Sequence, residues 1–478
     1  MSSSVRGSDR SLGGTTDTSP ARTGAGSGRL LVLYAALIGP LLGGYLLFDR
    51  AFAYLHVPGI PLFVGELVLA VGALGMLTAT GCLRIPLRDE PLLALLGVFV
   101  LWGMIRTLPG LGAYGMDAVR DSALWYYCGF AFLAVAATAR LPGVPESLVA
   151  QLGRLLPWML VWLPVGLLLT PFADQPPYVP FSTVPVLSHK PGNAAIAAVL
   201  ALGCMWLLPD RRSVRRRVGW SFLAILVIAL AATQNRGGLL GVSAGAAVGL
   251  LFVRERLRLV VPAVLSVALG LVLASLLSLQ VPFAGAQGRE FSASQLVANV
   301  VSLGGQEEPG NLGGTVQGRE LLWSRILDKQ ERDGHLVDGS GFGPNLAADV
   351  GVYDEGQDSL RSPHNSHLHI LARMGLVGFC LWIALWLGWY RRLVTGCLRL
   401  ERRGLHVRSR IAVLCLTVTT SILVSSIFDP QLEGPQMAAL LWTTFGIGVA
   451  VTSVRGWSGS PSPASAAPVS PARSTDAS

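Results

Sequence analysis

The run Leu368–Tyr390, LHILARMGLVGFCLWIALWLGWY, decides how this chain is read. Its 23 residues carry one charge, Arg373, and two arginines, Arg391 and Arg392, close it. A helix needs roughly 20 mostly apolar residues to cross the hydrocarbon layer of a bilayer. Eleven further apolar blocks resemble it: Leu30–Phe48, Ile60–Thr80, Pro91–Ile105, Ala123–Ala139, Leu155–Thr170, Ala194–Leu208, Trp220–Ala232, Leu239–Val253, Leu259–Val281, Ile411–Phe428 and Met437–Val454. The composition agrees. Of 478 residues, 51% are hydrophobic and 14% charged, with mean hydropathy +0.54, whereas soluble chains carry about 25% charged residues. The expectation is an all-α polytopic membrane protein of about 12 transmembrane helices.

The formal net charge of +9 raises the question of nucleic acid, and the placement of the charges answers it. With the N-terminus inside, 24 basic residues fall on cytoplasmic segments and 5 on short outer loops. Arg211, Arg212, Arg215, Arg216 and Arg217 would lie outside in the opposite orientation. Cytoplasmic connections collect arginine and lysine, so both termini are expected inside, and the basic excess serves insertion and anionic lipid rather than nucleic acid. Only Lys190 and Lys329 are lysines, which reads as the codon usage of a GC-rich genome. The six cysteines lie in or beside apolar blocks, so no disulfide framework is expected. Residues 1–29 are polar and too long for a signal-peptide n-region, so the first helix is expected to stay. The expected organisation is a disordered cytoplasmic N-terminus at 1–29, helices one to nine at 30–281, an extracytoplasmic loop at 282–367, helices ten to twelve at 368–454, and a disordered Ser/Pro/Ala tail at 455–478.

The loop between helices 9 and 10 breaks the pattern. From Phe283 to His367 it holds twelve acids and six bases, and loops of that length are usually functional. Arg319 to Leu327 reads as an amphipathic helix with Leu322, Trp323, Ile326 and Leu327 on one face. A turn follows at Gly339-Ser340-Gly341-Phe342-Gly343-Pro344. Ser362-Pro363 then reads as a cap and first helical position, starting a helix just before His364 that continues straight into the tenth span.

His364 at such a helix start meets the positive end of the dipole, which keeps its imidazole neutral and suited to act as a general base. His367 lies one turn further on the same face, and His369 does not. The plainer alternative is an interfacial polar residue bonded to the loop. Arg236, in Thr233-Gln234-Asn235-Arg236-Gly237-Gly238, sits between two spans with almost no connection. A membrane-edge guanidinium is costly without a partner and offers a fork that matches phosphate, although snorkelling to the interface would also place it there. Arg319 alone reads as a solvated arginine or a partner for a loop acid. Arg120 and Lys190 face outward at the mouths of the fourth and sixth spans. Together these cations suit a polyanionic, lipid-borne substrate. The sequence contains no GxxxxGK[ST], HExxH or paired CxxC, so ATP hydrolysis and zinc chemistry lack support. No Asp-x-Asp occurs either, and Glu331-Arg332-Asp333 reads as charged helix surface, so no metal or other cofactor is expected.

The run His364-Asn365-Ser366-His367-Leu368, followed by Gly375-Leu376-Val377-Gly378, resembles the HN-x-x-L…G-L-x-G signature of the O-antigen ligase and O-antigen polymerase superfamily. Gly318-Arg319 with Leu322-Trp323, then Gly339 to Pro344, is similar to that family's GR-x-x-LW and G-x-G-P elements. Asn235-Arg236-Gly237-Gly238 resembles its SRG motif with Asn for Ser, and Lys190-Pro191-Gly192-Asn193 its element before a helix start. The resemblance covers about Lys190 to Gly378 by motif and the remainder by topology.

The resemblance implies a GT-C-like membrane glycosyltransferase of the bacterial inner membrane, with an extracytoplasmic active site and no metal. The donor would be a glycan on undecaprenyl pyrophosphate, and the acceptor a hydroxyl of a glycan, glycolipid or protein. His364 would be the catalytic residue, supported by Asn365 and His367, and Arg236 and Arg319, with Arg120 and Lys190, would hold the donor pyrophosphate. Ligases, polymerases and protein glycosyltransferases share these motifs. A multi-pass transporter or a lipid-linked glycan flippase is the alternative. A major-facilitator carrier expects repeated halves and a long central inner loop. No such repeat is evident here, and the inner connection after the sixth span is about ten residues.

Overall fold

In the computed structural model of the chain, the structure describes residues 27–59, 62–78, 90–141, 143–169, 177–187, 189–208, 212–252, 280–284, 290–292, 295–297, 299, 311–351 and 361–453. Of the expected terminal segments, 1–26 of the first (1–29) and all of the second (455–478) lie outside the described residues, as does most of the ninth span; residues 27–29 already belong to a helix.

The described chain is helical almost throughout. The elements are α1 Ser27–Phe48, α2 Arg50–Ala53, α3 Val64–Thr78, α4 Pro91–Tyr114, α5 Met116–Asp121, α6 Ala123–Tyr126, α7 Gly129–Arg140, α8 Val144–Leu168, α9 Pro191–Trp206, α10 Val214–Gln234 and α11 Arg236–Phe252. A short antiparallel ribbon follows, β1 Gln280–Ala284 with β2 Glu290–Ser292. Then come α12 Asn311–Arg332, α13 Ser366–Arg402, α14 His406–Ser425 and α15 Pro435–Val451. Among the described residues six helices are long and apolar enough to cross a membrane, or seven when the pair Met116–Tyr126 and Gly129–Arg140, bent by 44°, is one span. Four shorter apolar helices, α3, α9, α11 and α15, fall at other expected positions. Gln280 and Val281 belong to β1, so the ninth span does not reach Val281 as expected; the ribbon takes over at its end.

Close approach of backbones holds the bundle. On α11, Gly241, Gly245 and Gly249 recur every fourth residue and lie against Thr417, Ser421 and Ser425, spaced the same way on α14. A Cβ on Gly241 would stand 2.5 Å from the Ser421 carbonyl oxygen. Helices in lipid gain little from the hydrophobic effect when they associate, so small residues that permit such contact do much of the joining. An aromatic layer of Trp382, Trp386, Trp389, Trp442 and Phe445 fills the space between α13 and α15.

Two corrections fall on α13. Its cap is Asn365, whose side-chain oxygen accepts from the His367 and Leu368 amides, so the helix begins at Ser366 and not before His364. The helix is also broken, because Gly375 has φ 64° and ψ −170°. A break in a membrane-embedded helix frees backbone groups that must find other partners. The loop supplies them. The Ser340 and Gly341 amides donate to the carbonyls of Ala372 (2.8 Å) and Arg373 (3.1 Å), and Trp102 Nε1 donates to that of Met374 (2.8 Å). The Leu376 and Val377 amides donate to Leu336 (2.9 Å) and Val337 (3.2 Å). The Gly-rich turn and the Gly375 break are therefore one joint. Arg106 secures it, 2.9 Å from Asp338 and donating to the Gly339 carbonyl at 2.6 Å.

Candidate functional site

Helix α12 runs from Asn311 to Arg332, longer than the stretch Arg319–Leu327 read from its pattern. Leu322 and Ile326 are buried against Leu346, Ala347 and Ala372, and Trp323 packs on the same cluster. Trp323 Nε1 donates to the Pro363 carbonyl at 2.7 Å, so this helix clamps the strap that carries His364. From the other side, the Ser366 amide donates to the Ser426 carbonyl (2.8 Å) and the Leu432 amide to Ser366 Oγ (3.3 Å). His364 sits between these anchors with φ 52°, a left-handed conformation that costs energy for a residue with a Cβ.

His364 is half-buried, and its pKa lies below the ordinary histidine value. Burial is the main cause; Arg319 and Lys190 push the same way, against Glu433 and Asp429. Four charges thus surround it, two of each sign. Arg319 and Arg236 in turn act on each other. Like charges that act on each other repel, and a phosphate group near both would relieve that repulsion.

The elements that carry Lys190 and Arg236 meet at Gly192. A Cβ there would stand 3.1 Å from Asn235 Nδ2, 3.3 Å from Gln431 Nε2 and 3.4 Å from Asp429 Oδ2. Asn235 has two tasks. Its Oδ1 accepts from the Gly238 amide at 2.8 Å, capping α11, and its Nδ2 donates to Asp429 at 2.6 Å. Burial raises the pKa of Asp429, against the opposing pull of Asn235, Lys190, Arg319 and His364. At the start of α9 the buried Asp49 accepts from the Lys190 amide (2.6 Å) and from Asn193 Nδ2 (2.8 Å), which fixes the Lys190–Asn193 element on the end of α1.

The structure thus brings His364, Arg236, Arg319 and Lys190 into one electrostatic cluster. Arg120 is not among the charges that act chiefly on His364; it is exposed on α5, and its neighbour Asp121 points inward instead. The expectation that His367 shares the face of His364 is corrected. His367 Nδ1 accepts from Trp382 Nε1 at 3.0 Å and its Nε2 lies 2.9 Å from the Leu423 carbonyl, so it ties α13 to α14. Indole nitrogen only donates, so Nδ1 carries the lone pair and Nε2 the proton. His369 instead lies against the connection between α14 and α15, with Nδ1 2.7 Å from Glu433 Oε1. Asp429 and Glu433 lie in the short connection between α14 and α15, a stretch with no motif to single them out. Their acidity between two apolar spans was the available signal.

Residues 221–383 match the protein family described as O-antigen ligase. The matched stretch runs from α10 to the middle of α13, so it contains Arg236, Arg319 and His364 and ends before Asp429 and Glu433. The match supports the O-antigen ligase and polymerase superfamily and, with it, a membrane glycosyltransferase-like role. No curated protein matches the chain.

Proposed function

We propose that this chain transfers a glycan from a polyprenyl pyrophosphate to an acceptor hydroxyl at the outer face of the membrane. The observation that carries the reading is the meeting of a neutral-leaning imidazole with two mutually repelling guanidiniums and a lysine. His364 takes the proton of the acceptor hydroxyl. The acceptor oxygen attacks the anomeric carbon from the face opposite the pyrophosphate, and the bond from that carbon to the phosphate oxygen breaks with its electron pair. Configuration inverts. Arg236, Arg319 and Lys190 stabilise the charge that grows on the leaving pyrophosphate, where preorganised donors act most strongly. A pyrophosphate leaves as an anion, so one base is enough. Arg120, exposed at the rim, would act earlier, attracting the anionic donor.

The family match favours transfer over transport, since it spans the stretch that holds all three central residues. The test is donor binding by purified protein in lipid nanodiscs, with a glycan on undecaprenyl pyrophosphate. Arg236→Ala and Arg319→Ala are expected to weaken binding by about tenfold or more each, the scale of one lost charge-assisted contact. His364→Ala is expected to bind donor as the wild type does. Unchanged binding in both arginine variants would remove the proposed pyrophosphate seat. Substrate-dependent flux without any transfer would return the transporter reading.

A further inference from the structure

Behind His364 lies a row of buried ionisable groups that proton abstraction and pyrophosphate binding leave unused. Arg373 is fully buried just before the α13 break at Gly375. Its Nη2 lies 2.7 Å from Asp121 Oδ2, its Nη1 donates to the Gly341 carbonyl at 3.1 Å, and its Nε donates to His369 Nε2 at 2.9 Å. A guanidinium keeps its protons and can only donate. His369 Nε2 must therefore hold a lone pair, and the ring's proton sits on Nδ1. Nδ1 lies 2.7 Å from Glu433 Oε1, a close contact rather than an aligned hydrogen bond. Arginine has thus chosen the tautomer of a histidine, and that histidine sits against a carboxylate.

The charges of Glu433 and His364 act on each other, and Ser362, two residues before His364 in the same strap, helps hold the Glu433 carboxyl down. Burial pushes the Glu433 carboxyl up, but His369, Ser362 and His364 more than reverse this, and it rests below the usual range. The Leu432 amide donates to Ser366 Oγ at 3.3 Å, so the Glu433 carboxylate is held beside the strap that carries the proposed base.

We propose that Glu433 is the anionic partner of His364, a positioning residue that steadies the imidazolium formed when His364 takes the acceptor's proton, and that Asp121, Arg373 and His369 hold it in place. The inference rests on the reading of His364 as base. Glu433 takes no proton itself. The proton stays on His364 until the product leaves and then passes to water. The arrangement also explains why a full positive charge lies buried beside a helix break: Arg373 ties the Gly341 turn, the α5 carboxylate and His369 into one rigid unit.

The test is the pH profile of glycan transfer by full-length protein in liposomes, comparing wild type with Glu433→Gln and Glu433→Asp. Lys190, Arg319 and Asp429 are the other charges that face His364, and none is altered. An anion raises the pKa of a neighbouring imidazole. Its removal in Glu433→Gln is expected to move the acid limb of kcat/KM to lower pH by about one unit and to lower kcat roughly tenfold, while Glu433→Asp recovers part of both. Lower activity with an unmoved acid limb would make Glu433 structural only and overturn the proposal, as would an unchanged profile. If Glu433→Gln does not fold, His369→Phe, which strips Glu433 of that imidazole, is expected to shift the limb the same way; an unmoved limb there overturns the proposal equally. A folded His364→Ala that keeps full activity would instead sink the base assignment, whatever Glu433 does.

Discussion

The base role proposed for His364 rests on where the residue is held. Its left-handed φ of 52° places the ring among Arg319, Lys190, Asp429 and Glu433, and Trp323 and Ser366 keep the strap from relaxing. Burial and the two cations lower its pKa, so the neutral, active form persists as the medium turns acid. The sign is definite. Transfer is expected to hold constant through neutrality and to fall with a midpoint below about 6.5, the ordinary histidine value; a kcat/KM profile against pH checks it, and a midpoint above that value contradicts it. Asn235 makes a second prediction at this scale. Asn235→Ala loses the cap on α11 and is expected to cost about 1 kcal/mol, lowering Tm. Asn235→Ser keeps the cap but leaves Asp429 without its amide, so Tm stays near wild type while transfer falls. Of the residues in the site, His364, Arg236, Arg319 and Lys190 were legible because each stands in a motif or beside an apolar block. Asp429 and Glu433 were not, since their meaning comes from contacts with α9, α10 and α13 that no local pattern carries.

Helix periodicity gave the elements wherever an apolar face met polar neighbours. Leu322 and Ile326 mark the buried face of α12 from spacing alone. It failed at Gly375, where the apolar run continues unbroken through a backbone that does not. Hydropathy records what a residue prefers as solvent and says nothing of φ. The glycines carried the missing signal: Gly339, Gly341, Gly343 and Gly375 all take positive φ, and the amides of the first turn bond across the break. Gly375→Ala is expected to unseat the loop, because its Cβ would collide with the Val337 carbonyl and its φ would be strained. Loss of thermal stability together with protease sensitivity at the 336–343 turn checks this. On α11, Gly245→Val drives a branched side chain into the Thr417 carbonyl and Ser421. Overpacking of that kind is expected to cost about 1–3 kcal/mol, read as a lower unfolding temperature in detergent.

At the scale of the whole molecule, the ends of the bundle differ in chemistry. The starts of α9, α11 and α15 and the ends of α1, α10 and α14 gather around Gly192, Asp429 and His364. At the other end a cavity of about 880 Å³ is lined by Glu146, Arg154, Arg212 and Arg216 with apolar neighbours. Arginine-rich connections are expected on the inner face, and His364 is then expected outside. In a background without native cysteines, Ser324→Cys on α12 is expected to react with a membrane-impermeant maleimide on intact cells, and Leu405→Cys only after permeabilisation. The reverse pattern would invert the topology. The central claim, that the assembled cluster is a transferase, is tested most directly by one assay in proteoliposomes supplied with glycan-linked undecaprenyl pyrophosphate and an acceptor. Wild type is expected to release one polyprenyl pyrophosphate for each glycan bond formed, and folded His364→Ala to lose about 10²–10⁴-fold in rate, the usual contribution of a general base. Glycan transfer by His364→Ala at the wild-type rate would contradict it.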